Sequence, residues 1–373
     1  MKVVIAIDSF KGSMTSMEAG NAAKKGILAA KPDAEVCLSP LADGGEGTVD
    51  ALIEGLGAKK IPVTVTGPLG EKVSCYYGFL EETKSAVMEM ASAAGITLVT
   101  KKDPLRASTY GVGEMIADAL KRGCKNFMIG IGGSATNDGG IGMLKALGFE
   151  FFDEDGNDVG EGAAALVKIE VIRTENKNPL LSGAKFQIAC DVKNPLCGKQ
   201  GATYIFGPQK GVTEEQKEQV DEAMRHYADV TKESLDCDFA DCEGAGAAGG
   251  LGYAFLSYLA GELIPGVELI LQATGLEEKM KNADVVVTGE GRLDAQTVMG
   301  KAPVGVAALA KKYNAKVIAF AGSVAPEASV CNQAGIDAFF PIVRGVTTLE
   351  EAMKKENAME NIAATAEQVF RLL

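Results

Sequence analysis

The chain has little of what many catalytic and metal-binding proteins rely on. It contains a single histidine, His226, and no two of its eight cysteines have the C-x-x-C spacing. These shortages argue against a structural zinc site and against histidine-based catalysis. No apolar run reaches transmembrane length, and the N-terminal one is too short for a signal peptide. We therefore expect a cytoplasmic protein with reduced thiols and no membrane partner.

Positive charge is also in short supply. The 373 residues include 37 Lys and Arg against 50 Asp and Glu, a net charge of −13. This balance argues against nucleic acid as a partner, because no basic face can be assembled easily. An anionic substrate would have to be held by local N–H groups, Lys, Arg or a metal. The length predicts two or three domains with ample core.

What the chain does have is three segments that mix glycines with carboxylates, each following an apolar run. They cover residues 42–48, 132–140 and 289–294. Glycine lets backbone N–H groups converge on an anion, whereas carboxylates would repel it unless a hard cation lay between them. The combination predicts a bound phosphate with Mg²⁺, and hence phosphoryl transfer. Because no G-x-x-x-x-G-K-[ST] sequence occurs, a kinase would not be of the P-loop class.

The order of predicted elements indicates an α/β protein with two domains. Strands and helices alternate at both ends of the chain, which predicts a Rossmann-like, doubly wound parallel sheet. The middle predicts a second, mixed α/β domain that interrupts the first. We place the first domain at 1–65 plus 281–373 and the inserted one at 66–280, with joints near 62–68 and 275–284. The cleft between two such domains is the default small-molecule site.

Local patterns predict individual elements. Thr15 and Glu18 are spaced as a capping box at the start of the first helix. Residues 85–91 are expected to be an antiparallel strand. Residues 285–288 are expected to be a buried strand that ends before the third glycine-and-acid segment. A helix over that segment would put Glu290 and Asp294 on one face.

Each candidate site residue also has a plainer structural interpretation. Asp8, Ser9 and Lys11 follow the first strand, where parallel sheets bind ligands, but they could also cap a helix. Asp191 could be a general base or metal ligand, or an Asx turn before Pro195. Asp43 and Glu46 could be turn formers. Asn137 and Asp138 could be capping residues only, and Glu290 and Asp294 could lie in a solvated surface turn.

One motif favours a different activity. Residues 130–135 match G-x-G-x-x-[GA] after a strand, which imitates a dinucleotide-binding fingerprint. In that fingerprint the helix begins at once, whereas here residues 136–140 extend the loop. An NAD-dependent hydroxy-acid oxidoreductase is therefore one alternative function. A non-catalytic nucleotide-binding regulator is another, because related folds can lose their chemistry.

Taken in order and spacing, several short motifs resemble those of the bacterial-type glycerate kinases, which lack a P-loop. The matching segments are 8–13, 40–48, 130–140, 190–196, 206–211, 244–252 and 289–297 with 300–301. The resemblance covers essentially the whole chain. One difference is Ile7, where we expect proline before the Asp-Ser-Phe-Lys sequence. It should affect the stiffness of the backbone more than the chemistry.

The resemblance implies phosphorylation of D-glycerate by ATP with Mg²⁺, at the 2-hydroxyl rather than the 3-hydroxyl. It also implies a Rossmann-like domain interrupted by a second α/β domain. The expected partners are the small acid and ATP. The sequence does not give the oligomeric state, and a homodimer is left open. The roles of individual residues are not part of what the resemblance implies.

We assign those roles from charge. Lys11 or Arg292 should hold the carboxylate of glycerate, with Ser9 nearby. Asp191 or Asp43 should position the attacking hydroxyl and deprotonate it. The residues expected to bind the nucleotide are Gly132, Gly133, Ser134, Thr136, Asn137 and Asp138. The metal candidates are Glu290 and Asp294. Most of the catalysis in such a reaction is positioning and charge neutralisation.

Overall fold

A computed structural model describes residues 1–42 and 48–373. The strands are β1 (Lys2–Ile5), β2 (Glu35–Leu38), β3 (Lys59–Thr66), β4 (Lys72–Leu80), β5 (Ser85–Glu89), β6 (Asn126–Gly130), β7 (Glu150–Phe152), β8 (Val171–Arg173), β9 (Lys185–Ala189), β10 (Glu262–Ile264), β11 (Val285–Leu293), β12 (Lys316–Val324) and β13 (Ala338–Pro341). The helices are α1 (Ser16–Ala30), α2 (Thr48–Leu56), α3 (Ala91–Ala94), α4 (Tyr110–Lys121), α5 (Ile141–Ala146), α6 (Ala163–Leu166), α7 (Ala202–Lys210), α8 (Glu214–Leu235), α9 (Ala247–Leu259), α10 (Gly266–Ala273), α11 (Leu276–Met280), α12 (Ala302–Lys311), α13 (Val330–Gln333), α14 (Leu349–Met353) and α15 (Lys355–Arg371).

The chain divides into two compact units. One unit, which we call the split unit, comprises residues 1–43, 50–57 and 267–373 as far as these are described; the other, the inserted unit, comprises 44–49 and 58–266 on the same terms. The sequence places the joints at 62–68 and 275–284. The first joint of the structure lies earlier because β3 pairs along its length with β4 in the sheet of the inserted unit.

The split unit contains a five-stranded sheet in the order β13-β12-β11-β1-β2. Its neighbouring strands are all parallel, which confirms the predicted Rossmann-like sheet. Its central strands are apolar without alternation, as expected for strands covered on both faces. Val3, Ile5, Val287 and Phe320 are buried in one core that also includes residues of α1 and α15.

Helix α1 of the split unit begins at the predicted capping box. The side chain of Thr15 accepts from the backbone N–H of Glu18, whose carboxylate accepts from the N–H of Thr15. Further along, a Cβ at Gly26 would lie 1.9 Å from the carbonyl oxygen of Ala363 on α15. Only glycine therefore allows the two helix backbones to approach this closely.

Strand β11 is longer than expected. The predicted strand ends at residue 288, but pairing with β12 continues to the pair Leu293 and Val324. The third glycine-and-acid segment is therefore mostly strand, and the predicted end of the strand at residue 288 is wrong. Glycine tolerates this geometry because a Cβ at Gly289 would lie 2.1 Å from the carbonyl oxygen of Phe320 on the neighbouring strand.

The inserted unit is built on a six-stranded mixed sheet in the order β10-β9-β6-β5-β4-β3. Strand β5 pairs antiparallel with β4, as predicted, but it pairs parallel with β6. It is thus the strand at which the sheet changes direction. A second core surrounds this sheet and includes Tyr77, Phe127, Ile129 and Phe255. Among the residues described, none of the helices is both long and apolar enough to cross a bilayer.

Candidate active site

The split unit has a cavity of about 660 Å³ at the carboxyl end of its sheet. In an open parallel sheet, ligands bind outside the carboxyl ends of the strands, at the point where the strand order reverses. The cavity brings together six residues that the sequence singled out: Asp8, Ser9, Lys11, Glu290, Arg292 and Asp294. Apolar side chains of α14, including Leu349 and Met353, form part of its wall. The cavity thus combines charged groups with an apolar surface.

Two carboxylates in this cavity flank a lysine that sequence analysis did not select. The Lys301 ammonium nitrogen lies 3.7 Å from Oε2 of Glu290 and 3.9 Å from Oδ1 of Asp294. Thr297 Oγ1 donates to Oε1 of Glu290 at 2.7 Å. Burial raises the pKa of Glu290, whereas the Thr297 hydrogen bond and the Lys301 charge oppose the rise. The Nε of Arg292 lies 3.6 Å from Oδ2 of Asp294.

The reason these acids share a face differs from the prediction. Glu290 lies in β11, and Asp294 follows the last residue of that strand. The segment is therefore not the helix that the prediction assumed. Successive side chains of a strand alternate, so residues an even number of positions apart also share a face. Glu290 therefore reaches the lysine from the strand, and Asp294 reaches it from the bend that follows. Glu290 and Asp294 together provide two carboxylates, a number that suits Mg²⁺ when its other ligands are phosphate oxygens and water.

The inserted unit has a smaller cavity of about 320 Å³. Gly132, Gly133 and Ser134 line it after β6, and Asp191 lines it after β9. Lys210, at the end of α7, completes this set of polar groups. The structure therefore brings the motifs at 130–140 and 206–211 into one site with the Asp191 carboxylate.

The first part of the 132–140 loop offers donors to a ligand. Among the described residues, the backbone N–H groups of Gly132, Gly133 and Ser134 donate to no protein acceptor. Gly133 adopts a φ of +73°, and both glycines are exposed. Consecutive N–H groups in such a turn form a concave anion-binding surface. This part of the loop has the geometry predicted for a phosphate cradle.

The second part of the loop is turned into the protein. Thr136, Asn137 and Asp138 are each 0% exposed. Oδ2 of Asp138 accepts from the N–H and Oγ1 of Thr109, both at 2.8 Å, and from the N–H of Gly142 at 3.3 Å. Burial raises the pKa of Asp138, and these hydrogen bonds oppose the rise. These three side chains do not line the cavity, and Asp138 makes the capping contacts that were its alternative interpretation.

A kink in α9 supports the loop from behind. Its residues Gly249 and Gly250 have φ of +69° and +90°, and Gly139 N–H donates to the carbonyl oxygen of Gly249 at 2.9 Å. A Cβ at Gly249 would lie 2.1 Å from the carbonyl oxygen of Thr136. Both the backbone conformation and the close approach therefore require glycine here. The small residues of 244–252 serve to hold the 132–140 loop.

Asp191 is exposed and its carboxylate is held at one oxygen. Oδ1 accepts from the N–H of Gly266 at 2.9 Å, so the contact is not that of an Asx turn ahead of Pro195. The second oxygen is left for a ligand or proton. The other candidate base, Asp43, and its neighbour Glu46 lie outside the described residues.

The dinucleotide fingerprint lacks its expected context. Helix α5 begins at Ile141, well after Ala135, and residues 136–140 lie between. A pyrophosphate at the fingerprint would therefore not meet a helix N-terminus. The geometry gives no support to the oxidoreductase alternative.

Two lysines in the cavities were missed as candidates, although both lie in motifs that the resemblance covers. Lys301 follows Gly300, and Lys210 precedes Gly211. The available signal for a site lysine was its position in a motif whose other residues are acidic or apolar. It is weak, because most lysines are solvated.

Comparison with known proteins places these features in a family. Residues 3–373 match the family model described as the glycerate kinase family. The chain therefore belongs to the glycerate kinase family, a family of enzymes that act as phosphotransferases. This confirms the resemblance drawn from the motifs.

Individual relatives are similar over their full length. The chain is 45% identical to a glycerate kinase of Bacillus subtilis (strain 168), covering 99% of this chain and 97% of that protein. It is also 45% identical to a glycerate 2-kinase of Escherichia coli (strain K12), covering 98% of each. A crystal structure from Salmonella typhimurium LT2, of a protein described as a candidate glycerate kinase 2, matches with a TM-score of 0.91 at 44% identity. That match covers 99% of this chain and 97% of the other.

Proposed function

We propose that this enzyme transfers a phosphoryl group from ATP to the 2-hydroxyl of D-glycerate, assisted by Mg²⁺. The observation that carries the proposal is the cavity of the inserted unit. There, the open N–H groups of Gly132, Gly133 and Ser134 line the same cavity as Asp191. An anion cradle beside a carboxylate is what phosphoryl transfer to a hydroxyl requires. The name of the Escherichia coli relative supports the 2-position.

In this proposal the 132–140 loop binds the nucleotide with its first three residues. Gly132, Gly133 and Ser134 would donate to phosphate oxygens. The buried side chains of Thr136, Asn137 and Asp138 would act from beneath, by fixing the backbone that presents those donors. Such preorganisation costs nothing at the moment of reaction, which is why it favours the transition state.

Asp191 would act as the general base towards the hydroxyl of glycerate. Its bond from Gly266 leaves one oxygen to accept the proton. A positioned carboxylate contributes both orientation and proton acceptance. Asp43 stays a second candidate for this role on the basis of the sequence.

The split-unit cavity would bind the acid through its cations. Lys11 and Arg292 would hold the carboxylate of glycerate, with Ser9 next to them. Glu290 and Asp294 would hold Mg²⁺, which supplies charge neutralisation when it is bound with ATP phosphates. Location in the cytoplasm stays a prediction from the sequence, and the sequence does not decide the oligomeric state.

Phosphorus NMR of a reaction mixture tests the proposal directly. The enzyme is incubated with ATP, Mg²⁺ and D-glycerate, and the product is identified by its phosphorus–proton couplings. We expect 2-phosphoglycerate, with no turnover when Mg²⁺ is removed by chelation. Formation of 3-phosphoglycerate would overturn the regiochemistry, and binding of NAD with no ATP-dependent product would overturn the function.

Replacing Lys11 by alanine tests the assignment of the split-unit cavity. We expect the KM for D-glycerate to rise about 10- to 100-fold, because a hydrogen bond between charged groups is lost. The KM for ATP should stay unchanged. The exposed residue Lys25 of α1 offers a matched control, Lys25→Ala, which should leave both values unchanged.

The volume of this cavity gives the experiment a second use. About 660 Å³ lies within the range that drug-sized ligands fill, so a nucleotide would also fit. A rise in the KM for ATP alone after Lys11→Ala would mean that the nucleotide, and not glycerate, enters here.

A further inference from the structure

Lys210 carries an ammonium group that is buried in the wall of the inserted-unit cavity. The residue is the last of α7 and is 2% exposed. Its Nζ donates to the carbonyl oxygen of Thr136 at 2.7 Å. An ammonium has three donor protons, and this is its single protein hydrogen bond within the described part of the chain. No carboxylate among those residues lies within ion-pair distance of it.

A buried ammonium without a counter-ion is costly, so it either loses its proton or binds an anion. The surroundings of Lys210 are polar and incompletely paired. Oγ1 of Thr136 and Oδ1 of Asn137 are buried without a hydrogen-bond partner in the part of the chain that is described. On the open side of the same cavity lie the donors of Gly132 and Gly133. Among the described residues, the site therefore combines a cation with N–H donors, and the one carboxylate in its lining, Asp191, makes no ion pair with the lysine.

We propose that Lys210 binds a phosphoryl oxygen of ATP and is the cation of the inserted-unit cavity. This inference rests on the proposed function and deepens it, because it names the charged group that holds the nucleotide. The loop N–H groups would bind the same oxyanion from a second direction. The carboxylate of glycerate is the other oxyanion in the reaction, and the experiment below distinguishes the two.

The environment of Lys210 makes the interaction dependent on pH. Burial lowers the pKa of the ammonium to about 7, and the charge of Asp138 partly opposes this. Asp191 and Cys190 line the same cavity, and Tyr227 lies on α8, which packs against α7. Burial raises the pKa of Cys190 and of Tyr227, so both stay protonated near neutral pH. Among Lys210, Cys190 and Tyr227, Lys210 is thus the group whose charge changes near pH 7.

The sign of the effect follows from these shifts. Above pH 7 the free enzyme increasingly holds Lys210 in its neutral form, and a phosphate must first recruit a proton to bind it. The dissociation constant should therefore rise about tenfold per pH unit above 7. Ionisation of the ligand acts equally on every variant, so the part of the pH dependence that Lys210→Met removes is the part due to Lys210.

The test measures the binding of a non-hydrolysable ATP analogue by calorimetry at pH 7.5 and 8.5. The proteins are the wild type, Lys210→Met, Lys210→Arg and the exposed control Lys199→Met. We expect Lys210→Met to weaken binding about 10- to 100-fold at pH 7.5 and to abolish the pH dependence. Lys210→Arg should retain binding without the pH dependence, because its guanidinium stays charged. Lys199→Met should behave as the wild type.

Each alternative outcome has a distinct meaning. Equal affinity of wild type and Lys210→Met, both folded by circular dichroism, would overturn the role of Lys210. If Lys210→Met binds the analogue as the wild type does and only its KM for D-glycerate rises, the cavity belongs to the acid. That result would also overturn the role of Lys210. If Lys210→Met does not fold, a wild-type affinity that is constant from pH 7.5 to 8.5 overturns the proposal. If the wild type neither binds the analogue nor converts ATP and D-glycerate to product, the proposed function itself would be overturned.

Discussion

Asp191→Asn is expected to lower kcat by about 10²- to 10⁴-fold, the range that general-base catalysis contributes. The amide cannot accept the proton of the glycerate hydroxyl, although its oxygen can still accept the Gly266 N–H that now reaches Oδ1 at 2.9 Å. Because that contact is retained and the residue is exposed, the fold should be unaffected. Steady-state kinetics with saturating ATP and D-glycerate measures the effect.

A matched control separates chemistry from general charge. Asp229 is an exposed aspartate on α8 in the same unit, and Asp229→Asn should leave kcat unchanged. The midpoint of thermal unfolding should agree among the three proteins. A turnover of Asp191→Asn equal to that of the wild type would exclude Asp191 as the base and leave Asp43 as the candidate.

The largest expected loss of stability comes from Asp138→Ala. The buried carboxylate accepts from Thr109 twice, from Gly140 at 3.2 Å and from Gly142 at 3.3 Å. Alanine would leave these buried donors unpaired, and the free energy of unfolding should fall by about 3–5 kcal/mol. Urea denaturation followed by circular dichroism measures the change.

Two further variants test the cause of that loss. Asp138→Asn keeps one acceptor oxygen and should lose less stability than the alanine variant. Asp155→Ala removes an exposed aspartate and should stay within about 0.5 kcal/mol of the wild type. If Asp138→Ala were as stable as Asp155→Ala, the carboxylate would not be what holds the 132–140 loop.

Local patterns predicted much of the fold because they act over few residues. The capping box of Thr15 and Glu18 depends on two side chains and the adjacent backbone, and it forms as predicted. Strand β11 was predicted too short, because what extends it is pairing with β12, more than twenty positions away along the chain. A sequence pattern in one segment carries no record of such a partner. The direction change at β5 was missed for the same reason.

The candidate site shows the same division. Gly132 and Gly133 indicate an anion site because glycine leaves room for an anion at the backbone. Their N–H groups donate to no acceptor among the described residues. The sequence could not show that Asp138 points inward, because an aspartate in a glycine-rich loop suits a ligand as well as a cap. It also gave no sign that Lys210 is buried, since burial depends on how α7 packs against the rest of the inserted unit.

The extension of β11 along β12 affects how ligands meet the split unit. Glu290 and Arg292 stand on a paired ribbon, and Arg292 is in register with Ser323 of β12. Backbone hydrogen bonds already fix these positions in the folded protein, so little conformational entropy is lost when a ligand arrives. Rigid placement favours selectivity over adaptability, because a ligand of the wrong length cannot draw the charges towards itself. If this cavity binds the acid as proposed, it should therefore discriminate among small acids by geometry, before any chemistry begins.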